Sequence, residues 1–385
     1  MPWESKTVEK LRKEFIQKAI QKEISLSALC REYEISRPTA YKWIERFKNG
    51  EGFADKSHEA LFKPRKTPTE KEELILYTRQ EHPTWGPRKL RRFLCEKGYD
   101  ELPATSTIAD ILKRNNCISE ETSEAHTPWK RFEKDGPNDM WQMDYKGNFG
   151  LCNGMRCFPL TILDDCSRFS LCINAKDNER WLPVKACLEE VFREYGLPKA
   201  ILCDNGNPWG STGKGYTMFD IWMMQMNILP IHGRILHPQT QGKDERFHRT
   251  LKEDVLKRTV LRDLKHAQEE FDKFRYCYNY ERPHEALQLD VPAKHYKPSK
   301  RAYIGKIKEP EYDIGKQLRK VNYKGYISID RHRYYLSDSF IGKYLEVVPE
   351  DEKTLNLCYG EFAIAKVDIE EKQIISKKIY RRKKV

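Results

Sequence analysis

Hydrophobic positions recur with a helical period through the first third of the chain, shift to strand-like runs in the middle, and alternate again towards the end. Leu11, Phe15 and Ala19 share one face of a first helix, and Leu26, Leu29, Cys30 and Tyr33 share one face of a second. Ile35-Ser36 breaks the pattern, Ser36 is a good N-cap, and a third helix follows with Arg37, Thr39, Tyr41, Lys42, Trp43 and Arg46. Ala40 and Trp43 are expected to pack inward. Arg37, Thr39, Lys42 and Arg46 then become candidate contacts to DNA from the second helix of a helix-turn-helix over 1–55. A plain pair of helices with a solvated basic face fits so short a pattern as well.

A loop rich in Gly, Lys and Pro (50–68) leads to a second helical unit over 66–118. His82-Pro83 ends one helix, Trp85-Gly86-Pro87 opens the next, Gly98 stops it, and Thr105-Ser106 is expected to cap a third. Arg88, Lys89 and Arg92 are its candidate DNA contacts. One recognition helix spans only a few base pairs, so two such units extend the site that can be read. Residues 119–139 read as a polar linker in which Lys130 and Arg131, flanked by Trp129 and Phe132, are candidate DNA contacts; an inert tether is the alternative.

From Met140 to about residue 300 the order is three strands, a helix, a strand, a helix, a strand and a long helix from about Gly242, which predicts a mixed α/β sheet of the ribonuclease H type. Short alternating strands over 310–376 predict a small β-barrel, and the six basic side chains in 377–385 predict a disordered arm.

Composition narrows the partners. The 385 residues carry 70 Lys+Arg against 58 Asp+Glu, a net charge of +12 that favours a polyanionic partner without naming it. With 20 Tyr, 16 Phe and 8 Trp, the chain has enough apolar surface to fold as several globular domains. Eleven cysteines scattered without a CxxC pair argue for reduced thiols and against a structural zinc site. The N-terminal residues lack the apolar core of a signal peptide and no window approaches 18 uncharged apolar residues, so a soluble intracellular protein without a membrane partner is expected.

Asp144 lies in the strand WQMDYKG, Asp204 ends the apolar strand AILCDNG, and Glu245 sits in the first turn of the helix after HPQTQG. In a ribonuclease H fold the first and fourth strands are neighbours, so Asp144 and Asp204 meet at their ends and Glu245 closes the site. Carboxylates converging from distant segments suit two divalent ions spaced about 4 Å apart for phosphoryl transfer on DNA. Asp164 and Asp165 read as caps of a tight strand connection, and Asp244 as a helix-dipole partner on a different face from Glu245.

LCDNG, HPQTQGKDERFHRTLK and YNYERPHEALQLDVPAKHY, with ISRPTAYKWIERFKNG and HPTWGPRKL upstream, resemble the transposases of insertion sequences that share the integrase core of retroviral integrases. The resemblance covers nearly the whole chain. It implies an Asp-Asp-Glu triad at Asp144, Asp204 and Glu245, two Mg²⁺ ions held there with Mn²⁺ able to substitute, and a phosphate contact from Lys252, seven residues beyond Glu245. Arg246 is a candidate contact to the scissile strand. The 40 residues between Asp204 and Glu245 exceed the spacing of many members, and the excess falls in GSTGKGY.

The resemblance further implies binding to the terminal inverted repeats and target DNA of a mobile element, cleavage and joining of its ends, a homo-oligomer on paired ends, and a bacterial, cytoplasmic, nucleoid-associated location. An accessory ATPase is compatible with the sequence but not indicated by it. The alternatives are a catalytically silent, element-derived DNA-binding regulator and a structure-selective nuclease.

Overall fold

The computed structural model describes residues 7–55, 67–118, 134–210, 215–233 and 242–382, in two compact units, 1–66 and 67–385. The first unit holds α1 (Val8–Gln21), α2 (Leu26–Glu32) and α3 (Arg37–Lys48). Thr7, Ser25 and Ser36 cap them, each accepting a backbone N–H three residues on, which contributes about 1 kcal/mol per helix. Phe15, Ile16, Leu29, Cys30, Ala40 and Trp43 form the core, so Ala40 and Trp43 face inward as expected. Leu11 is largely exposed and Ile16 takes its place, because the apolar stripe runs through adjacent positions of α1.

The second unit opens with α4 (Thr69–Glu81), α5 (Pro87–Glu96) and α6 (Thr105–Arg114) around Ile75, Trp85, Leu90, Leu94, Ile108 and Ile111. Pro87 occupies the first turn of α5, and Gly98, at φ +88°, follows its end in a conformation that favours glycine. Ala104, not Thr105 or Ser106, holds the N-cap of α6, and no side chain caps that end.

The central sheet is built from β1 (Trp141–Tyr145), β2 (Phe149–Gly150), β3 (Arg156–Asp164), β4 (Ser170–Lys176), β5 (Ala200–Cys203) and β6 (Leu229–His232). Its order is β4-β3-β1-β5-β6, with β2 paired to the start of β3. β1, β3 and β4 are antiparallel, and β5 and β6 run parallel to β1, which is the mixed topology the sequence predicts. One face packs on α7 (Trp181–Tyr195) and α8 (Met218–Gln225) through Trp141, Met143, Ile201, Leu188, Phe192 and Trp222. The other packs on α9 (Gly242–Leu251), a π-helical turn over Lys252–Leu256, and α10 (Leu264–Tyr276), through Leu163, Ile173, Phe247, Leu251 and Phe271. α11 (Pro292–His295) follows.

The last part of the segment read as a linker belongs to this core. The Asn138 N–H donates to Asp164 at 2.8 Å, and Asn138 Oδ1 accepts from Trp141 Nε1 and the Tyr296 hydroxyl. Residues 119–133, with Lys130 and Arg131, lie outside the described residues. The α4–α6 layer is docked on the core by Arg92 to Asp290 at 2.8 Å, Lys294 to Glu96 at 3.1 Å and Arg282 to Thr84 at 3.3 Å, with Cys277 against its apolar centre.

The C-terminal region contains β7 (Leu318–Lys320), β8 (Tyr326–Ile329), β9 (His332–Tyr335), β10 (Tyr344–Pro349), β11 (Thr354–Tyr359), β12 (Phe362–Asp368), β13 (Gln373–Ser376) and β14 (Tyr380–Arg381). The expected barrel does not close among the described residues. β7-β10-β11-β12 form an open sheet, β13 and β14 share the far edge of β12, and β8-β9 is a separate hairpin. A barrel needs its end strands to pair with matched tilt and shear. Here the apolar face is covered instead by Tyr216, Ile221 and Met224 of the core. The basic tail is no free arm as far as Arg382: β14 pairs with β12, Arg381 bonds Asn227 at 2.7 Å and Arg382 bonds Glu346 at 2.6 Å. No helix among the described residues is long and apolar enough to cross a membrane.

Candidate functional site

The pairing of β1 with β5 sets the site. Met143 stands opposite Cys203, so Asp144 and Asp204 follow side by side just beyond the last pair of the two parallel strands, Asp144 still paired with Thr161 of β3. Asp204 Oδ1 accepts the Gly206 N–H at 3.0 Å and the Trp209 indole N–H at 2.6 Å. A Cβ at position 206 would lie 2.8 Å from Asp204 Oδ2, so the turn admits only glycine without rearrangement. Trp209 is itself buried and stacks on Tyr145, with centroids 5.2 Å apart, so one aromatic pair braces the segments carrying both aspartates. On the neighbouring strand, His232 bonds Asp220 at 2.7 Å. Burial opposes its charge, but the Asp220 carboxylate holds it above the usual histidine value.

Asp144 is short of donors. Its Oδ1 accepts the Tyr145 N–H at 2.8 Å, and His248 Nδ1 stands 3.8 Å from its Oδ2. The other nitrogen of His248 meets the Thr161 hydroxyl at 2.8 Å. Burial, then Asp204 and more weakly Glu245, pushes the Asp144 carboxyl up to about 7. Burial and Lys146 push His248 down to about 3, so the imidazole is neutral and supplies no countercharge.

Glu245 is exposed on the first turn of α9, on the same side as Arg249 and Lys252. Asp244 is buried to 1% exposure with no hydrogen-bond partner on either oxygen among the described residues. Burial, followed by Asp144 and Asp165, holds it well above the usual carboxylate range. It does point away from Glu245, but it is no solvated dipole partner, because the face it shares with His248 is the one that packs on the sheet. Asp164 caps the β3–β4 connection as expected, accepting the Ser167 N–H at 2.8 Å and the Ser167 hydroxyl at 2.6 Å.

Carboxylate oxygens, which only accept, match the donor set of a hard divalent ion such as Mg²⁺ or Mn²⁺. The residues fit that ion in kind. Among the described residues, no three His, Cys, Asp or Glu side chains are gathered closely enough to hold a metal as they stand.

The basic residues singled out in the sequence divide into two groups. Lys42, Arg88, Arg246 and Lys252 are exposed, Arg37 is exposed beside the Ser27 hydroxyl, and Thr39 bonds Ser36. Lys89 is half-buried, and burial together with Arg282 lowers its ammonium to about 8. Arg46 is spent on Glu51 at 3.2 Å and on the Trp43 ring, and Arg92 on Glu96 at 2.6 Å and Asp290. Residues 234–241, with His237 and Gln241 of HPQTQG that could also touch the scissile strand, lie outside the described residues. Sequence reasoning missed His248 and Trp209. The spacing of His248, four residues beyond Asp244 on a helix, was a usable signal, whereas nothing in NGNPWG marked the indole as a donor to Asp204.

Comparisons with known proteins agree with this layout. Integrase core domain families match residues 134–238 and 226–292, a helix-turn-helix domain matches 11–66 and a homeodomain-like domain matches 39–112. The insertion element IS407 31.7 kDa protein of Burkholderia multivorans is 27% identical over 158 residues, which are 41% of this chain and 55% of that protein. The IS476 39.2 kDa protein of Xanthomonas euvesicatoria is 28% identical over 158 residues, 41% of this chain and 44% of that protein. The chain thus spans about half the length of these two relatives. The Gag-Pol polyprotein of baboon endogenous virus is 27% identical over 186 residues, 47% of this chain and 10% of the polyprotein.

Among solved structures, the simian T-cell lymphotropic virus intasome bound to a PP2A regulatory subunit is similar at 15% identity and TM-score 0.37, covering 75% of this chain and 96% of that one. The HTLV-2 integrase catalytic core with magnesium is similar at 16% identity and TM-score 0.32, covering 42% and 99%. The chain is thus similar to helix-turn-helix and homeodomain-like domains in its N-terminal third and to integrase core domains through its centre, and over that centre it resembles proteins of insertion elements.

Proposed function

We propose that the chain is a DNA transposase that binds the terminal inverted repeats of a mobile element, cleaves its ends and joins them to target DNA by phosphoryl transfer. The observation that carries this reading is the placement of Asp144 beside Asp204 just beyond the last β1–β5 pair, with Asp144 driven up to about 7 by burial and its acidic neighbours, which Lys146 offsets only in part. Asp144, Asp204 and Glu245 would hold two Mg²⁺ ions, with Mn²⁺ able to replace them. Such ions, when bound, stabilise charge on the attacking and leaving oxygens of an in-line displacement.

The chain's own groups do the rest. Trp209 and the Gly206 N–H orient Asp204, Tyr145 packs against Trp209, and neutral His248 fixes α9 against β1 through Thr161 without competing for the cation site. Exposed Arg246 and Lys252 would hold the phosphates flanking the cut. Arg37, Thr39 and Lys42 on α3 and Arg88 and Lys89 on α5 would grip the duplex upstream. Two DNA ends must be brought together for joining, so the chain acts as a homo-oligomer on paired ends.

The test is a cleavage and strand-joining assay on a labelled duplex carrying one end of the element, with Mg²⁺ or with chelator, for wild type and Glu245→Gln. Loss of both products in the variant, with duplex binding retained, supports the assignment. If Glu245→Gln joins ends as well as wild type, the triad is wrong; if wild type binds its end but never cuts it, a silent DNA-binding regulator is the better reading.

A further inference from the structure

Asp165 directly follows β3, and its side chain has no exposed surface. It is not needed to make the strand connection, since Asp164 supplies both caps to Ser167. Its donors come from elsewhere. Oδ1 accepts Gln142 Nε2 at 2.6 Å and pairs with Lys243 Nζ at 2.6 Å, and Oδ2 accepts the Lys134 N–H at 2.8 Å. The Asp165 carbonyl takes a second bond from Lys243 Nζ at 3.0 Å and one from the Arg168 guanidinium.

Two of these donors come from the elements that carry Asp144 and Glu245. Gln142 precedes Asp144 by two residues on β1, so the two side chains share one face of the sheet. Lys243 precedes Glu245 by two residues in the first turn of α9. A cation there is disfavoured by the helix dipole, so its presence calls for a compensating anion. Asp165 is that anion, and its side chain grips the position two before each carboxylate. A further polar link from α9 to the sheet is made by His248, more than a turn further on, to Thr161 at 2.8 Å and, more loosely, to Asp144 at 3.8 Å.

We propose that Asp165 and Lys243 form a positioning pair that locks the first turn of α9 against β1 and so sets the separation of Asp144 and Glu245 at which a divalent cation is bound. This rests on the reading of those two carboxylates as metal ligands. Neither Asp165 nor Lys243 touches the cation or the DNA; they act by holding the residues that do. Partners of this kind, one layer behind metal ligands, typically change metal affinity by about 10- to 100-fold when removed.

The test is Mn²⁺ binding to the full chain by titration calorimetry, together with the Mg²⁺ concentration for half-maximal cleavage, for Lys243→Gln, Lys243→Arg, Asp165→Asn and Glu245→Gln. Lys243→Gln and Asp165→Asn should weaken Mn²⁺ binding by about 10- to 100-fold and raise the Mg²⁺ requirement in parallel, with duplex affinity unchanged. Lys243→Arg should recover most of the loss. If Asp165→Asn fails to fold, Lys243→Gln, whose side chain reaches the surface, decides the matter. A folded Lys243→Gln that binds Mn²⁺ as wild type does overturns the positioning pair alone, provided Glu245→Gln has lost binding. If Glu245→Gln also binds Mn²⁺ normally, the metal-ligand reading falls and the pair falls with it.

Discussion

Asp165 and Asp144 lie on the same side of one sheet, and both are drawn largely out of water, with 0% and 23% of the side chain exposed. Asp165 meets an ammonium, an amide and a backbone N–H, so its charge is matched on every side. Asp144 meets one backbone N–H, a neutral imidazole, two further carboxylates and the partial offset of Lys146, and Asp244 beside it meets no hydrogen-bond donor among the described residues. If Asp144 is the metal ligand proposed above, burial is not what separates a structural acid from a functional one. A protein interior tolerates a charge that is fully paired, and leaves one unpaired at a measurable penalty where something outside the chain completes it.

The largest effect expected of this contrast is on chemistry. Asp144→Asn should lower cleavage by on the order of 10⁴-fold in a single-turnover assay, with duplex binding kept, because members of a catalytic unit fail together. Residual cutting within tenfold of wild type would erase the distinction between the two acids. Next comes stability: Asp165→Asn removes the buried carboxylate that pairs with Lys243 and should lose roughly 3–5 kcal/mol in urea unfolding. The double variant Asp165→Asn/Lys243→Gln should regain part of that. Equal losses in single and double variants would mean that the pair is not coupled.

Asp144 should behave in the opposite sense. A carboxyl titrating at about 7 in the folded chain, against 3.8 ordinarily, lends stability that is complete below pH 4 and lost as pH rises through 7. In chelator at pH 8, Asp144→Asn should therefore be more stable than wild type by roughly 1–4 kcal/mol, an advantage that disappears at pH 4. Saturating Mg²⁺ should cancel it at pH 8 by stabilising wild type alone. A variant less stable than wild type at pH 8 in chelator would show that Asp144 is paired after all. The smallest effect concerns Arg92, whose half-exposed bridge to Asp290 should be worth less than about 1 kcal/mol, so Arg92→Ala should leave the melting temperature within a few degrees.

Asp144 and Asp204 were legible because strand alternation and an Asn-Gly turn fix them locally, and the sheet order then brings them together without further information. The three caps Thr7, Ser25 and Ser36 act within one helical turn, and Ser36 was read directly. What the sequence hid depends on distant partners. Lys243 and Asp165 are 78 residues apart, and neither carries a local signature of the other. Arg92 looks like a DNA contact on a basic helix until Asp290, 198 residues on, claims it. The barrel failed for a related reason: alternation counts strands but does not say which edges meet, or that Tyr216 and Met224 from the core would cover the face a barrel would have enclosed.

Tyr216 draws the C-terminal sheet and the turn after Asp204 into one piece. Its hydroxyl bonds the Ile364 carbonyl, its own carbonyl accepts the Ser337 hydroxyl at 2.7 Å, and a Cβ on the preceding Gly215 would lie 2.5 Å from the Leu336 carbonyl oxygen. The sheet is thus not a detachable module. A gene fragment that begins after the integrase core would leave its inner face without Tyr216, Ile221 and Met224, and expression of that fragment should yield aggregate where the longer chain yields monodisperse protein. For the same reason, exchange of this sheet between related elements would have to carry residues 215–225 along with it.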